Sequence, residues 1–118
     1  MHAEKENIKK WLEVLSVGNA KKKGLWKRLY SFASRPERSR VEVGIEKINK
    51  YTKEGDIAII PGKVLGPGEL DHKVTIAAIE FSKPAEEALR KAGCEIKGIE
   101  ELYKQMEGNQ KVSAKIIV

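Results

Sequence analysis

Side chains and glycines able to bind an anion or move a proton cluster in the run PGKVLGPGELDHKVTIAA at positions 61–78. It holds Gly62, Gly66 and Gly68, the cations Lys63 and Lys73, and the pair Asp71-His72. Glycines let backbone N–H groups crowd round an anion, and two lysines add charge at the ends of such a loop. The phosphate-loop pattern, however, needs Lys-Ser or Lys-Thr opening a helix, whereas Lys63 and Lys73 are each followed by valine and an apolar stretch. A dipole-assisted nucleotide cradle is therefore not expected. Two readings remain, a basic glycine-rich edge suited to the backbone of a polyanion and an ordinary solvated loop.

The other reactive types lead to no catalytic site. Asp71-His72 has the composition of a general base with its orienting carboxylate, but adjacent loop residues rarely face each other, and no nucleophile stands out. His72 is expected to touch RNA or to be solvated. Cys94 is the single cysteine and only two histidines share the chain, so neither a disulfide nor a metal site is expected. Following Gly93 at a predicted helix end, where the dipole disfavours a thiolate, Cys94 reads as a small buried hydrophobe. Glu86-Glu87 and Glu100-Glu101 fall in predicted first helical turns, where carboxylates complement the dipole.

Charge points towards polyanions. The 118 residues carry a net charge of +6, unevenly placed: residues 1–40 hold 11 Lys/Arg against 4 Glu, and the remainder is slightly acidic. Lys21, Lys22, Lys23, Lys27, Arg28, Arg35, Arg38 and Arg40 are interleaved with Trp26, Tyr30 and Phe32. Arginines fork onto phosphates and stack on bases, so this arm suits nucleic acid or an anionic membrane surface; the alternative is a solubility tail. Trp26 and Phe32 share an apolar helical stripe and read as core, leaving Tyr30 as the exposed aromatic. The opening MHAEKENIKK lacks the apolar region of a signal peptide, and no apolar run approaches membrane-spanning length. A cytoplasmic protein is expected.

The elements that must position these groups follow from periodicity. Ile8, Trp11, Leu12 and Leu15 recur at helical spacing; Gly18-Asn19 and the run 21–24 read as a break. Leu25, Trp26, Leu29, Phe32 and Ala33 form a second helix, halted by Pro36. Whether Trp11 docks on its own domain or on a partner is open. Residues 41–43 read as a strand, 45–51 as a helix closed by Gly55, and 56–60 and 74–81 as strands apolar on both faces. Ser82 caps a helix stopped by Gly93; Ile99, Leu102, Tyr103 and Met106 mark a last helix ended at Gly108; and 114–118 reads as a closing strand. Gly44, Ile45, Glu46 and Lys50 recur as Gly98, Ile99, Glu100 and Lys104, an echo of two strand–helix–strand units. Such units stack as a layered α/β domain with a mostly parallel sheet. The division expected is a basic helical arm at 1–24 and one α/β domain at 25–118.

Several blocks together resemble a known family. KINKYT at 47–52, PGKVLGPGEL at 61–70, KVTIAA at 73–78, Phe81-Ser82, Ala92-Gly93 and the closing Ile116-Ile117-Val118 resemble the large-subunit ribosomal protein called eighteen-e, a relative of bacterial ribosomal protein fifteen. The Leu25-Trp26 helix and the turn from Arg35 to Arg38 also fit, so the resemblance spans about 25–118. Cys94 departs from it, standing where the family often has a second glycine. The short chain without long basic extensions is similar to the archaeal form. The resemblance implies a compact α/β domain in irregular strand–strand–helix turns. It further implies a structural constituent of the large ribosomal subunit, bound to its rRNA and to neighbouring ribosomal proteins. No enzyme, cofactor, metal, membrane or small-molecule substrate is implied. The rRNA contacts would then be Lys21, Lys22, Lys23, Lys27, Arg28, Arg35, Arg38, Arg40, Lys50, Lys63, Gly66, Gly68, His72 and Lys73. One alternative is an enzyme that binds a phosphate ligand on the loop 61–73. Another is an adaptor that meets a protein through the Trp11 stripe.

Overall fold

Residues 57–60 are apolar at every position, a pattern that a strand satisfies only when both of its faces are covered. The computed structural model describes residues 8–16, 24–107 and 114–118, and it puts this run at the centre of a five-stranded sheet. The strands are β1 (Val41–Gly44), β2 (Ile57–Leu65), β3 (Thr75–Phe81), β4 (Glu95–Ile96) and β5 (Ala114–Ile116). The path runs β1-β2-β3-β4, with β5 also on β2, and each of the four pairings is parallel. β5 pairs with β2 at 57–59 and β1 pairs with it at 62–65, so the two short strands share one edge of β2 end to end.

Helices cover both faces: α1 (residues 8–16), α2 (Gly24–Ala33), α3 (Ile45–Tyr51), α4 (Lys83–Lys91) and α5 (Ile99–Glu107). Period-two alternation along β2 and β3 sends Ala58, Ile60, Val64 and Ile76 to one core. There they meet Ile45 and Ile48 of α3 and Ala85 and Leu89 of α4. Ile57, Ile59, Ala77 and Ile79 go to the other core, with Trp11 and Leu15 of α1, Trp26, Leu29 and Ala33 of α2, and Ile99 and Leu102 of α5. Each fully buried Ile or Leu contributes roughly 1.5–3 kcal/mol of transfer free energy. The result is a three-layer α/β fold with a parallel sheet, as expected. Trp11 docks on its own molecule, so the stripe that the adaptor reading requires is buried.

Both spans of the internal echo are strand–helix–strand units, β1–α3–β2 and β4–α5–β5, with Ile45 and Ile99 buried at matching places. Ser82 caps α4, its hydroxyl oxygen accepting from Ala85 N at 3.2 Å, and Gly93 ends the turn after α4 at φ +80°. The breaks at 17–23 and the segment with Gly108 lie outside the described residues.

The structure corrects one boundary that matters. The sequence reading ends a strand at Ile60 and begins a glycine-rich loop at Pro61. Instead β2 continues to Leu65. Its register against β3 shifts between Ile60 and Lys63, and this irregularity absorbs the missing donor of Pro61. Gly62 makes the continuation possible: a Cβ there would lie 1.9 Å from the Val41 carbonyl oxygen of β1. The loop is therefore residues 66–74. The closing strand is also shorter than expected, ending at Ile116, although Ile117 N still donates to Ile59 O at 3.1 Å.

Candidate nucleic-acid interface

The glycines of the loop are occupied by the protein itself. A Cβ on Gly66 would stand 2.6 Å from Ala85 N and 2.8 Å from Pro84 C, in the first turn of α4, and one on Gly68 would stand 2.7 Å from Ile45 Cβ. Close approach of loop to helix accounts for both residues. Two loop amides are also taken, since Gly66 N donates to Ser82 Oγ at 3.1 Å and Asp71 N donates to Asn49 Oδ1 at 3.1 Å.

His72 is held on both sides. Its Nδ1 lies 2.7 Å from Asp71 Oδ1, and its Nε2 lies 2.7 Å from Thr52 Oγ1. Contrary to the sequence expectation, the adjacent Asp71 and His72 do face each other. The hydrogen bond to His72, followed by that from the Asn49 side, holds the Asp71 carboxyl below its usual range. This Asp–His–Thr line has the connectivity of a nucleophilic triad but not its access. Thr52 is buried, and its hydroxyl donates to Ile48 O at 2.6 Å, which closes the end of α3. Its structural effect is to fasten the loop 66–74 to α3.

Lys63 projects from a strand instead of from a loop end, with Nζ 3.8 Å from Glu80 and its side chain partly exposed. Lys73 is exposed, and its methylene stem passes over Gly93, where a Cβ would come within 3.1 Å of Cε. Its charged end carries no ion pair among the described residues, and neither do those of Lys27, Arg28 and Arg38. The turn after α2 gathers three arginines. Arg35 stacks its guanidinium 4.7 Å over the ring of Phe32, Arg40 Nε donates to Arg35 O at 3.3 Å, and Arg38 stands exposed on the 3₁₀ turn Glu37–Ser39. Lys21, Lys22 and Lys23 lie outside the described residues.

The aromatic assignments shift. Trp26 is buried, with its ring centroid 4.8 Å from that of Tyr103. Tyr30, expected to be exposed, is half-buried against the core that holds α2. Phe32 is half-buried under Arg35 and not part of that core. The exposed aromatic is Tyr51, at 52% relative exposure, with Lys50 Nζ 5.5 Å above its ring.

The sequence model of a family described as ribosomal proteins 50S-L15 and 50S-L18e, together with their counterpart in the 60S subunit, matches residues 27–97. The chain belongs to this ribosomal protein family. Among its relatives is the large ribosomal subunit protein eL18 of Sulfurisphaera tokodaii, 45% identical over 100 residues, which cover 85% of this chain and 80% of the relative. The eL18 proteins of Methanococcus maripaludis and Archaeoglobus fulgidus are 42% and 36% identical, covering 75% and 89% of this chain and 74% and 91% of their own. The family is one of structural, non-enzymatic proteins, which removes the phosphate-ligand enzyme from consideration.

Within this family's blocks, sequence reasoning passed over the roles of Tyr51, Asn49 and Thr52, and over the second contact of Ser82, to Gly66 N. A signal for Tyr51 was available. With Ile45, Ile48 and Thr52 on the inner face of a helix, residues 47, 50 and 51 must lie on its outer side, so an aromatic there is exposed between two lysines. The bonds from Asp71 N to Asn49 and from Gly66 N to Ser82 could not have been found in the same way, because the partners are distant in sequence.

Proposed function

We propose that the protein binds and scaffolds the rRNA of the large ribosomal subunit, beside neighbouring ribosomal proteins, and that its place is therefore the ribosome in the cytoplasm. The observation that carries this reading is the exposed set Lys27, Arg28 and Arg38, cations without acidic partners among the described residues, in a chain of a ribosomal family. Several other cations are matched, as Arg90 is with Glu86 at 2.6 Å and Lys115 is with Asp56 at 3.0 Å, whereas Lys73 has no acidic partner among the described residues. Unpaired charge costs little in water and becomes useful once phosphates displace their counterions.

Lys27, Arg28, Arg35, Arg38 and Arg40 would line one part of the interface, and Lys50, Lys63, His72 and Lys73 another. Lys21, Lys22 and Lys23 belong to the same proposal on charge and proximity in sequence. Gly66 and Gly68 contribute by letting the loop pack, so that Lys73 is presented at a fixed height. Most contacts fall on phosphate and shape, without readout of base order. The test is binding of the full chain to its own large-subunit rRNA and to an unrelated RNA across a salt series. If about six phosphates are neutralised, log affinity falls with log salt at a slope of about −4 to −5. Equal, salt-insensitive binding to both RNAs refutes the proposal.

A further inference from the structure

A groove of about 890 Å³ runs along the outer edge of β5. It is lined by Arg28 of α2, by Lys47 and Tyr51 of α3, and by residues 114–118. It is where α2 and α3, which lie on opposite faces of the sheet, come together past an edge strand. The two large apolar side chains most exposed among the described residues, Tyr51 and Val118, both line it. Three cations line it too, and among the described residues no acidic side chain does. Lys47 Nζ donates to the Val118 carbonyl oxygen, while Lys115 Nζ donates to Tyr51 O at 3.4 Å and pairs with Asp56.

We propose that this groove takes one unpaired nucleotide of rRNA, its base stacked on the Tyr51 ring and its flanking phosphates met by Arg28, Lys47 and Lys50. The inference rests on the reading of the protein as an rRNA binder and adds a specific subsite to it. Charge complementarity decides the occupant. A protein segment buried here would leave Arg28 and Lys47 desolvated without a carboxylate side chain, Lys115 being paired with Asp56, and charged groups are scarce in the cores of protein interfaces. A nucleotide brings an apolar face for the tyrosine and anions for the cations at once. The groove is open along the strand, which suits a residue of a continuous chain better than a free small molecule.

The test compares full-length wild type with Tyr51→Ala, Tyr51→Trp and Lys47→Ala on the same rRNA in a salt series, together with ultraviolet crosslinking and mapping of the crosslinked peptide. Tyr51→Ala should weaken binding about 5- to 150-fold, the range of stacking one base on an aromatic, with the salt slope unchanged. Tyr51→Trp should restore affinity, and Lys47→Ala should lower the slope by about one. The crosslink should fall on the peptide containing Tyr51. Wild-type affinity in Tyr51→Ala, with rRNA binding otherwise intact, overturns the subsite and leaves the rRNA reading standing. Crosslinking of Tyr51 to a ribosomal protein within native subunits also overturns it. Failure of wild type to prefer its rRNA removes both.

Discussion

Gly66→Ala separates two roles for the glycines of the loop, packing against the fold and cradling an anion. The added methyl would stand 2.6 Å from Ala85 N, short of ordinary contact by about 0.8 Å, and all three of its nearest atoms are backbone in the first turn of α4. No side chain can swing aside, so either the loop or the start of α4 must move. Overpacking of this kind costs about 1–3 kcal/mol. The shift also pulls on Ser82, whose hydroxyl oxygen accepts from both Gly66 N and Ala85 N, and loss of an N-cap adds about 1 kcal/mol. The sum, about 2–4 kcal/mol, is a large share of the roughly 5–15 kcal/mol that holds a domain together. With a urea m-value of about 2 kcal/mol/M, the middle of the usual range, the unfolding midpoint should fall by about 1–2 M. Urea titrations followed by circular dichroism give the midpoint, and filter binding without denaturant gives rRNA affinity. A lowered midpoint with affinity kept within about threefold is expected. An unchanged midpoint with affinity lost tenfold or more would refute the packing account and return Gly66 to the anion.

Two further outcomes follow from charge. Lys73→Glu combined with Lys63→Gln, the latter chosen because Lys63 lies 3.8 Å from Glu80, should weaken rRNA binding and make the salt slope shallower by about 1.5–2, with the urea midpoint unchanged; unaltered affinity removes the loop from the interface. The Asp56 carboxyl is held below its usual range by the Lys53 N–H at 2.8 Å and then by Lys115 at 3.0 Å, so its stabilisation is full above the ordinary carboxylate pKa of about 4 and is lost as pH falls through the depressed value. Asp56→Asn should therefore flatten the fall of the urea midpoint on acidification below about pH 4, and a slope equal to wild type shows that the contact does not stabilise the fold.

Local pattern carried the fold a long way. The largely apolar stretches 56–60 and 74–81 implied strands covered on both faces, and they are so covered. Ser82 and Gly93 marked the ends of α4 because capping and a positive φ are properties of single residues and their neighbours. The miss at Pro61 has the opposite cause. Whether a proline ends a strand depends on a register irregularity and on the approach of β1 to Gly62, and neither is encoded within a few residues of Pro61. The Asp71–His72 geometry failed for a similar reason. The ring is oriented by Thr52, twenty positions away, and no local rule about neighbouring side chains includes that partner.

The candidate site divides along the same line. Charge is additive along a chain, so the basic character of residues 1–40 was readable without a fold. Exposure is not additive, and it moved the aromatic from Tyr30 to Tyr51. The block KINKYT explains why both kinds of information meet in one short helix. Its inward residues are committed to structure: Ile48 lies in the core, Asn49 holds the Asp71 amide, and Thr52 holds His72. Its outward residues, Lys47, Lys50 and Tyr51, fall on the exposed side of a helix that needs no aromatic there for its own packing. An exposed tyrosine between lysines gains little from folding. A partner with a flat apolar face and negative charge would give it more, and the α3 that carries it also anchors, through Asn49 and the adjoining Thr52, the loop that presents Lys73.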